Sequence, residues 1–177
     1  MTPPGRRCWR GLCLRTTSGG AYFAREGRVE RRVGLLTEGV ARAFFRSPDG
    51  TEYNKFFYVP VMFIGAYSSL VTGQTNTINI QCLTDCQLLE TSYAEFSALY
   101  PSYPQVETLS RKLSETYFVA KENREIAFIV SDARERYRQF RLAYPGLEQH
   151  VAQYHIASHL GISPTHLSRI RAQLGRR

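Results

Sequence analysis

Tyr154 to Leu174 read YHIASHLGISPTHLSRIRAQL, two short helical patterns interrupted at one glycine. In the first, Ile156 and Leu160 fall on one face, with the small Ala157 beside them where a second helix must approach closely. Gly161 supplies a tight turn, Ile162 plugs the angle between the helices, Ser163 caps the second helix and Pro164 takes its first position, where a missing N–H costs nothing. In the second, Leu167 and Ile170 face inward, while Thr165, His166, Ser168, Arg169 and Arg171 line the outer side, and these five with the capping Ser163 are the candidate DNA-contacting residues. A capped helix with a polar, arginine-bearing outer face suits insertion into a major groove. The plainer alternative is a surface helical hairpin, which does not require this combination of alanine, glycine, Ser-Pro start and paired aliphatics.

Charge is placed to match. Residues 133 to 177 carry eight Arg against Glu135 and Glu148 (8 − 2 = +6), residues 35 to 132 carry seven basic and eleven acidic side chains (7 − 11 = −4), and residues 1 to 34 carry eight Arg against Glu26 and Glu30 (8 − 2 = +6). A basic C-terminal module on an acidic body fits a nucleic-acid reader, because phosphate neutralisation supplies most sequence-independent affinity.

Working back from the motif, the chain is helical as far as about Ser92 and β-rich before it. Ser131 is expected to cap the helix DARERYRQFRLAY, stopped by Pro145 and Gly146. Val106, Leu109, Leu113, Tyr117 and Ala120 share one stripe of a long helix beyond Pro104. Ser92 and Glu95 form a capping box. Upstream, Val33 to Leu36, Val40 to Arg46 and Glu52 to Tyr58 read as strands, the last two joined by SPDGT into a hairpin. NTINIQC alternates Ile78, Ile80 and Cys82 with polar residues, and CQLLET after a Leu-Thr-Asp turn is expected to pair with it. Strands first and helices afterwards predict an α+β chain of separate modules.

IASHLGISPTHLSRIR resembles the C-terminal helix-turn-helix of the Crp/Fnr transcription regulators. FAREGRVERRVGLLTEGVARAFFRSPDGTEYNKFF, FIGAYSSLVTG and INIQCLTDCQLLE resemble that family's cyclic-nucleotide-binding β-roll, with Gly27, Gly39, Gly65 and Gly73 at turn positions. The resemblance implies an antiparallel, jelly-roll-like sensor domain at 21–103, a long dimerisation helix at 104–130 with Val106, Leu109, Leu113, Tyr117 and Ala120 at the interface, and a helix-turn-helix domain at 131–177. Its partners would be double-stranded DNA, a second copy of the chain and RNA polymerase, in a bacterial cytoplasm. Residues 1–20 match nothing in the family and are expected to be disordered or atypical, and little room is left for wing strands after Leu174.

By the same resemblance the effector site would use Gly65, Ala66, Tyr67, Ser68, Asn76 and Thr77. Members that bind cyclic AMP have a glutamate after the glycine, for the ribose, and an arginine at the start of the next strand, for the phosphate. Ala66 and Asn76 stand there, so a different, unknown ligand or none is expected. No cofactor is implied. A second class of function stays open: a ligand-binding or protein-interaction module whose C-terminus has lost DNA binding.

Other chemistry has little support. No Ser-His-acid set or phosphate-cradling glycine loop is present, so no catalytic residue is assigned and no enzyme expected. Cys8, Cys13, Cys82 and Cys86 lack zinc spacing and read as structural thiols, Cys82 on a buried strand face. Only His155 and His159 share a helix face, too few for a metal site. No run approaches the roughly 20 apolar residues of a membrane span, and the arginines of MTPPGRRCWRGLCLRTTSGG break any export signal.

Overall fold

The computed structural model describes residues 7–9 and 11–174, in an N-terminal unit ending at Phe96 and a C-terminal unit from Ser97. The strands are β1 (Arg7–Trp9), β2 (Leu12–Thr17), β3 (Tyr22–Ala24), β4 (Arg32–Glu38), β5 (Ala41–Arg46), β6 (Glu52–Tyr58), β7 (Met62–Ile64), β8 (Asn79–Cys82) and β9 (Cys86–Ser92). They form two antiparallel sheets, ordered β1-β2-β9-β4-β7 and β3-β8-β5-β6. The inward residues meet between the sheets: Leu36, Ile64, Cys86 and Leu88 from one, Ala41, Ala43, Tyr58, Ile80 and Cys82 from the other. The β5–β6 hairpin forms at SPDGT, where Gly50 takes φ +87° and Asp49 Oδ1 accepts the N–H of Thr51 at 3.0 Å.

Three local expectations are corrected. β8 and β9 do not pair with each other; the chain crosses from one sheet to the other at Leu83 to Asp85. The crossing interlocks with the one between β4 and β5: Leu83 N–H donates to Val40 O at 2.7 Å, and Val40 N–H donates to Thr84 Oγ1 at 2.9 Å. A Cβ on Gly39 would sit 2.2 Å from Asp85 O, so only glycine lets these corners close. Second, Leu12–Thr17 is ordered rather than outside the roll. β2 pairs along β9, covering what would be an open edge. Its Cys13 is buried and disulfide-bonded, whereas Cys82 and Cys86 are free and buried. Residues 1–6, 10 and 175–177, which the outer limits 1–20 and 131–177 include, lie outside the described residues.

Helix α1 (Tyr67–Thr72) lies within the roll's sequence, and α2 (Tyr93–Ser97) opens on the Ser92–Glu95 capping box, with Ser92 Oγ accepting Glu95 N–H at 3.1 Å. Then come α3 (Pro104–Val130), α4 (Ala133–Ala143), a 3-10 turn (Leu147–Gln149), α5 (Gln153–Leu160) and α6 (Pro164–Leu174). The third correction is the α4 cap. Asp132, not Ser131, accepts Glu135 N–H, at 2.8 Å, because Ser131 still closes α3 through its own N–H to Ala127 O. Among the described residues no helix is long and apolar enough to cross a membrane.

Candidate nucleic-acid interface and effector site

Gly161 ends α5 at φ +68°. Its N–H reaches Ser158 O and that of Ile162 reaches Ala157 O, a Schellman closure that turns the chain directly into α6. Ser163 Oγ accepts the N–H of His166 at 3.2 Å. Ile156, Ala157, Leu160, Leu167 and Ile170 are buried between the helices. Each large aliphatic contributes about 1.5–3 kcal/mol. Thr165, His166, Ser168, Arg169 and Arg171, expected on the outer face, are exposed, as is the capping Ser163. His155 and His159 are buried, and the described residues hold no cluster that could bind a metal.

Two arginines hold the turn from below. Arg124 of α3 donates to His159 O at 3.1 Å and Arg136 of α4 to Leu160 O at 3.2 Å, cations on the carbonyl end of α5. Their guanidiniums lie 4.7 and 4.9 Å from the Phe128 ring, with Phe128 between them under Gly161. None of the three was singled out in the sequence, since α3 and α4 carry no local sign of what they meet. Glu148 also went unassigned, though it is one of only two acids in the basic segment. Tyr137 Oη donates to its Oε1 at 2.6 Å, and Arg141 and Arg171 approach its carboxylate at 3.5 and 3.6 Å. Burial and this bond push the Tyr137 hydroxyl up to about 12.

Along α3 the stripe expected between subunits divides. Val106, Leu113 and Tyr117 are already half-buried within the chain, while Leu109 and Ala120 are exposed. A different apolar row is open to solvent: Val119, Ile126 and Val130, exposed by 52%, 49% and 73%. The sequence concealed it because Thr116 and Asn123 interrupt the row.

In the roll, Gly65 and Ala66 lead into α1. Ala66 is 1% exposed and Asn76 5%, whereas Tyr67, Ser68 and Thr77 face solvent. Asn76 is spent on its own loop. Its Nδ2 donates to Ile78 O, its Oδ1 accepts Ile78 N–H at 3.3 Å, and its backbone pairs with Gly27 and Arg28. The bond tying the segment together comes from an unassigned residue: buried Ser69 accepts Glu30 N–H at 3.0 Å and donates to Gln74 O at 2.7 Å. Nearby charge is paired within the protein. Arg32 contacts Glu30 at 3.0 Å and Glu90 at 3.6 Å, and Glu90 contacts Arg15 at 3.3 Å.

This roll coincides with a known family: residues 14–103 match the model of the cyclic nucleotide-binding domain. The chain belongs to the cyclic nucleotide-binding domain family. A comparison with curated proteins gave no match. Among solved structures the cyclic nucleotide-binding roll and the helices after it resemble FixK2 from Bradyrhizobium japonicum (TM-score 0.80, 15% identity, 93% of this chain and 85% of that one). They also resemble the c-di-GMP-responsive global regulator CLP from Xanthomonas campestris (0.72, 15%, 94% and 87%). A third similar fold is a transcriptional regulator of the Crp/Fnr family from Eubacterium rectale (0.70, 15%, 90% and 76%). A cyclic nucleotide-binding domain is a sensor, and at the bend into α1 of this roll Ala66 places only a buried methyl.

Proposed function

We propose that the chain is a homodimeric, sequence-specific DNA-binding transcription regulator of the Crp/Fnr type, with α5 and α6 as its helix-turn-helix and the roll as its sensor. The observation that carries this reading is the two-sided chemistry of α6: Leu167 and Ile170 are buried against α5, and Thr165, His166, Ser168 and Arg169 stand exposed beyond the Ser163 cap. Such a helix offers hydrogen-bonding groups at the spacing of base edges, and Arg169 can set a planar fork on guanine O6 and N7. The fold shared with a Crp/Fnr transcriptional regulator supports the same reading.

The subunits would meet along α3 through Val119, Ile126 and Val130, which recur seven and four residues apart, with Leu109 at the same edge. Val106, Leu113 and Tyr117 support α3 from within the chain. Two α6 helices related by a two-fold axis then contact half-sites about 34 Å apart. RNA polymerase is the further partner of a regulator of this class.

The effector is not cyclic AMP in this proposal. Ala66 offers no acceptor for a ribose hydroxyl, and Asn76 offers no charge and has both side-chain polar atoms bonded to Ile78. The fold does not oblige that ligand, since CLP responds to c-di-GMP. Selection of bound sequences from random duplex DNA tests the function. A palindromic consensus with half-sites one helical turn apart is expected; no enrichment would leave a ligand-binding or interaction module without DNA affinity.

A further inference from the structure

We propose that Arg141 and Arg171, aligned by Glu148, form a docking site for one backbone phosphodiester of duplex DNA. The proposal rests on the DNA-binding reading and adds a contact outside the base-reading face. The two guanidiniums border a cleft of about 390 Å³, also lined by Tyr144, Gly146 and Gln149. Glu148 is the inner member: its side chain is 18% exposed, against 57% for Arg141 and 42% for Arg171.

The distances define what Glu148 does. Each arginine comes nearest to it through Nε, at 3.5 and 3.6 Å, longer than a good hydrogen bond, so the Nη groups lie farther from the carboxylate. The carboxylate therefore positions both forks electrostatically while leaving their donors for another anion. Its one strong bond, 2.6 Å from Tyr137 Oη, anchors it to α4. One negative charge cannot neutralise two guanidiniums, and the excess faces outward. Two forks converging on one cleft match the tetrahedral oxygens of a phosphate, which arginine binds bidentately.

Position selects the source of that phosphate. Arg171 follows Ser168 by one turn of α6, so the cleft adjoins the exposed face of the helix at its C-terminal end. When the face of a recognition helix lies in the groove, that end meets the sugar–phosphate strand. Arg138, on α4 but paired with Glu135 at 3.2 Å, lies outside the cleft and serves as a control of equal charge.

The test is fluorescence anisotropy of a labelled duplex of random sequence, titrated with the full chain at salt from 50 to 200 mM. Each neutralised phosphate adds about 0.9 to the slope of log affinity against log salt. Arg141→Ala should lower that slope by about 0.9 per protomer, an affinity loss about 3.5-fold larger at 50 mM than at 200 mM, equally on every sequence. Arg138→Ala should leave the slope unchanged, and circular dichroism should show both variants folded. Glu148→Gln removes a negative charge, so charge alone predicts tighter binding; loss of fork alignment predicts weaker binding, which is the expected result. An unchanged slope in Arg141→Ala, or an equal drop in Arg138→Ala, overturns the site while the DNA-binding reading stands. Tighter binding by Glu148→Gln overturns its positioning role. A wild-type chain that binds no duplex at 50 mM salt overturns the function and the site together.

Discussion

A Cβ built on Gly161 falls 2.7 Å from Cε1 of Phe128, closer than real Cβ contacts come, and the ring is held between the guanidiniums of Arg124 and Arg136. The turn between α5 and α6 is thus packed onto the end of α3, and glycine is required there both by space and by its φ of +68°. Gly161→Ala should destabilise the helical unit by about 2–5 kcal/mol, combining about 1–2 for the left-handed conformation with about 1–3 for overpacking. Urea unfolding followed by circular dichroism measures it. Adding Phe128→Leu should recover the packing part alone. A loss below about 0.5 kcal/mol would mean that the contact imposes no constraint.

Ile126→Glu should convert the proposed dimer to monomer in sedimentation equilibrium, with the helical signal retained, because Ile126 is half-exposed in its own chain. Removing one well-buried isoleucine from an interface costs about 1.5–3 kcal/mol, at least tenfold in dissociation constant. Leu113→Glu should instead lower the stability of the chain itself, since Leu113 is already half-buried. The opposite pattern would restore Leu113 to the interface.

Arg169→Ala should weaken binding to the selected operator by about 1–3 kcal/mol per half-site and relax preference at one base pair. Competition between operator and random duplex reads it. Equal losses on both would place Arg169 on phosphate.

Cyclic AMP should neither bind in the micromolar range nor alter operator affinity. An effector shifts an equilibrium only by its differential affinity for the two states, and in the proposed effector site Ala66 and Asn76 carry no charge with which to create it. Isothermal calorimetry on the purified chain decides this. A micromolar constant with tighter operator binding would mean that another pair, such as Arg32 and Glu90, opens to receive the ligand.

The Tyr137 hydroxyl predicts a pH dependence. Burial and its bond to Glu148 raise it from the usual value near 10 to about 12, so the folded state holds the proton more tightly than the unfolded chain. Its contribution to stability is complete below pH 10 and lost as pH rises towards 12. The stability difference between wild type and Tyr137→Phe should therefore shrink across pH 10 to 12. A difference constant through that window would show that the bond does not distinguish the two states.

Much of the C-terminal region was legible because its determinants are local. Ser163, Pro164, Gly161 and the spacing of Leu167 and Ile170 fix caps, turn and faces within one or two helical turns, and periodicity places Thr165, His166 and Arg169 outside whatever the helix packs on. Likewise SPDGT fixes the β5–β6 hairpin. The tertiary structure decided what depends on residues far apart in the chain. Period two says that Cys82 points inward, but the bonds between Leu83, Thr84 and Val40 set it on the opposite sheet from Cys86. Apolar spacing on α3 marks more than one row, and only the packed chain shows Leu113 half-buried and Ile126 open. Asn76 reads as a free amide until its loop closes on it, and Glu148 as a stray acid until Tyr137, Arg141 and Arg171 converge from α4 and α6. The reason is that side-chain periodicity encodes which way a residue points, whereas the partner it meets is set by chain crossings and helix ends that no local pattern specifies.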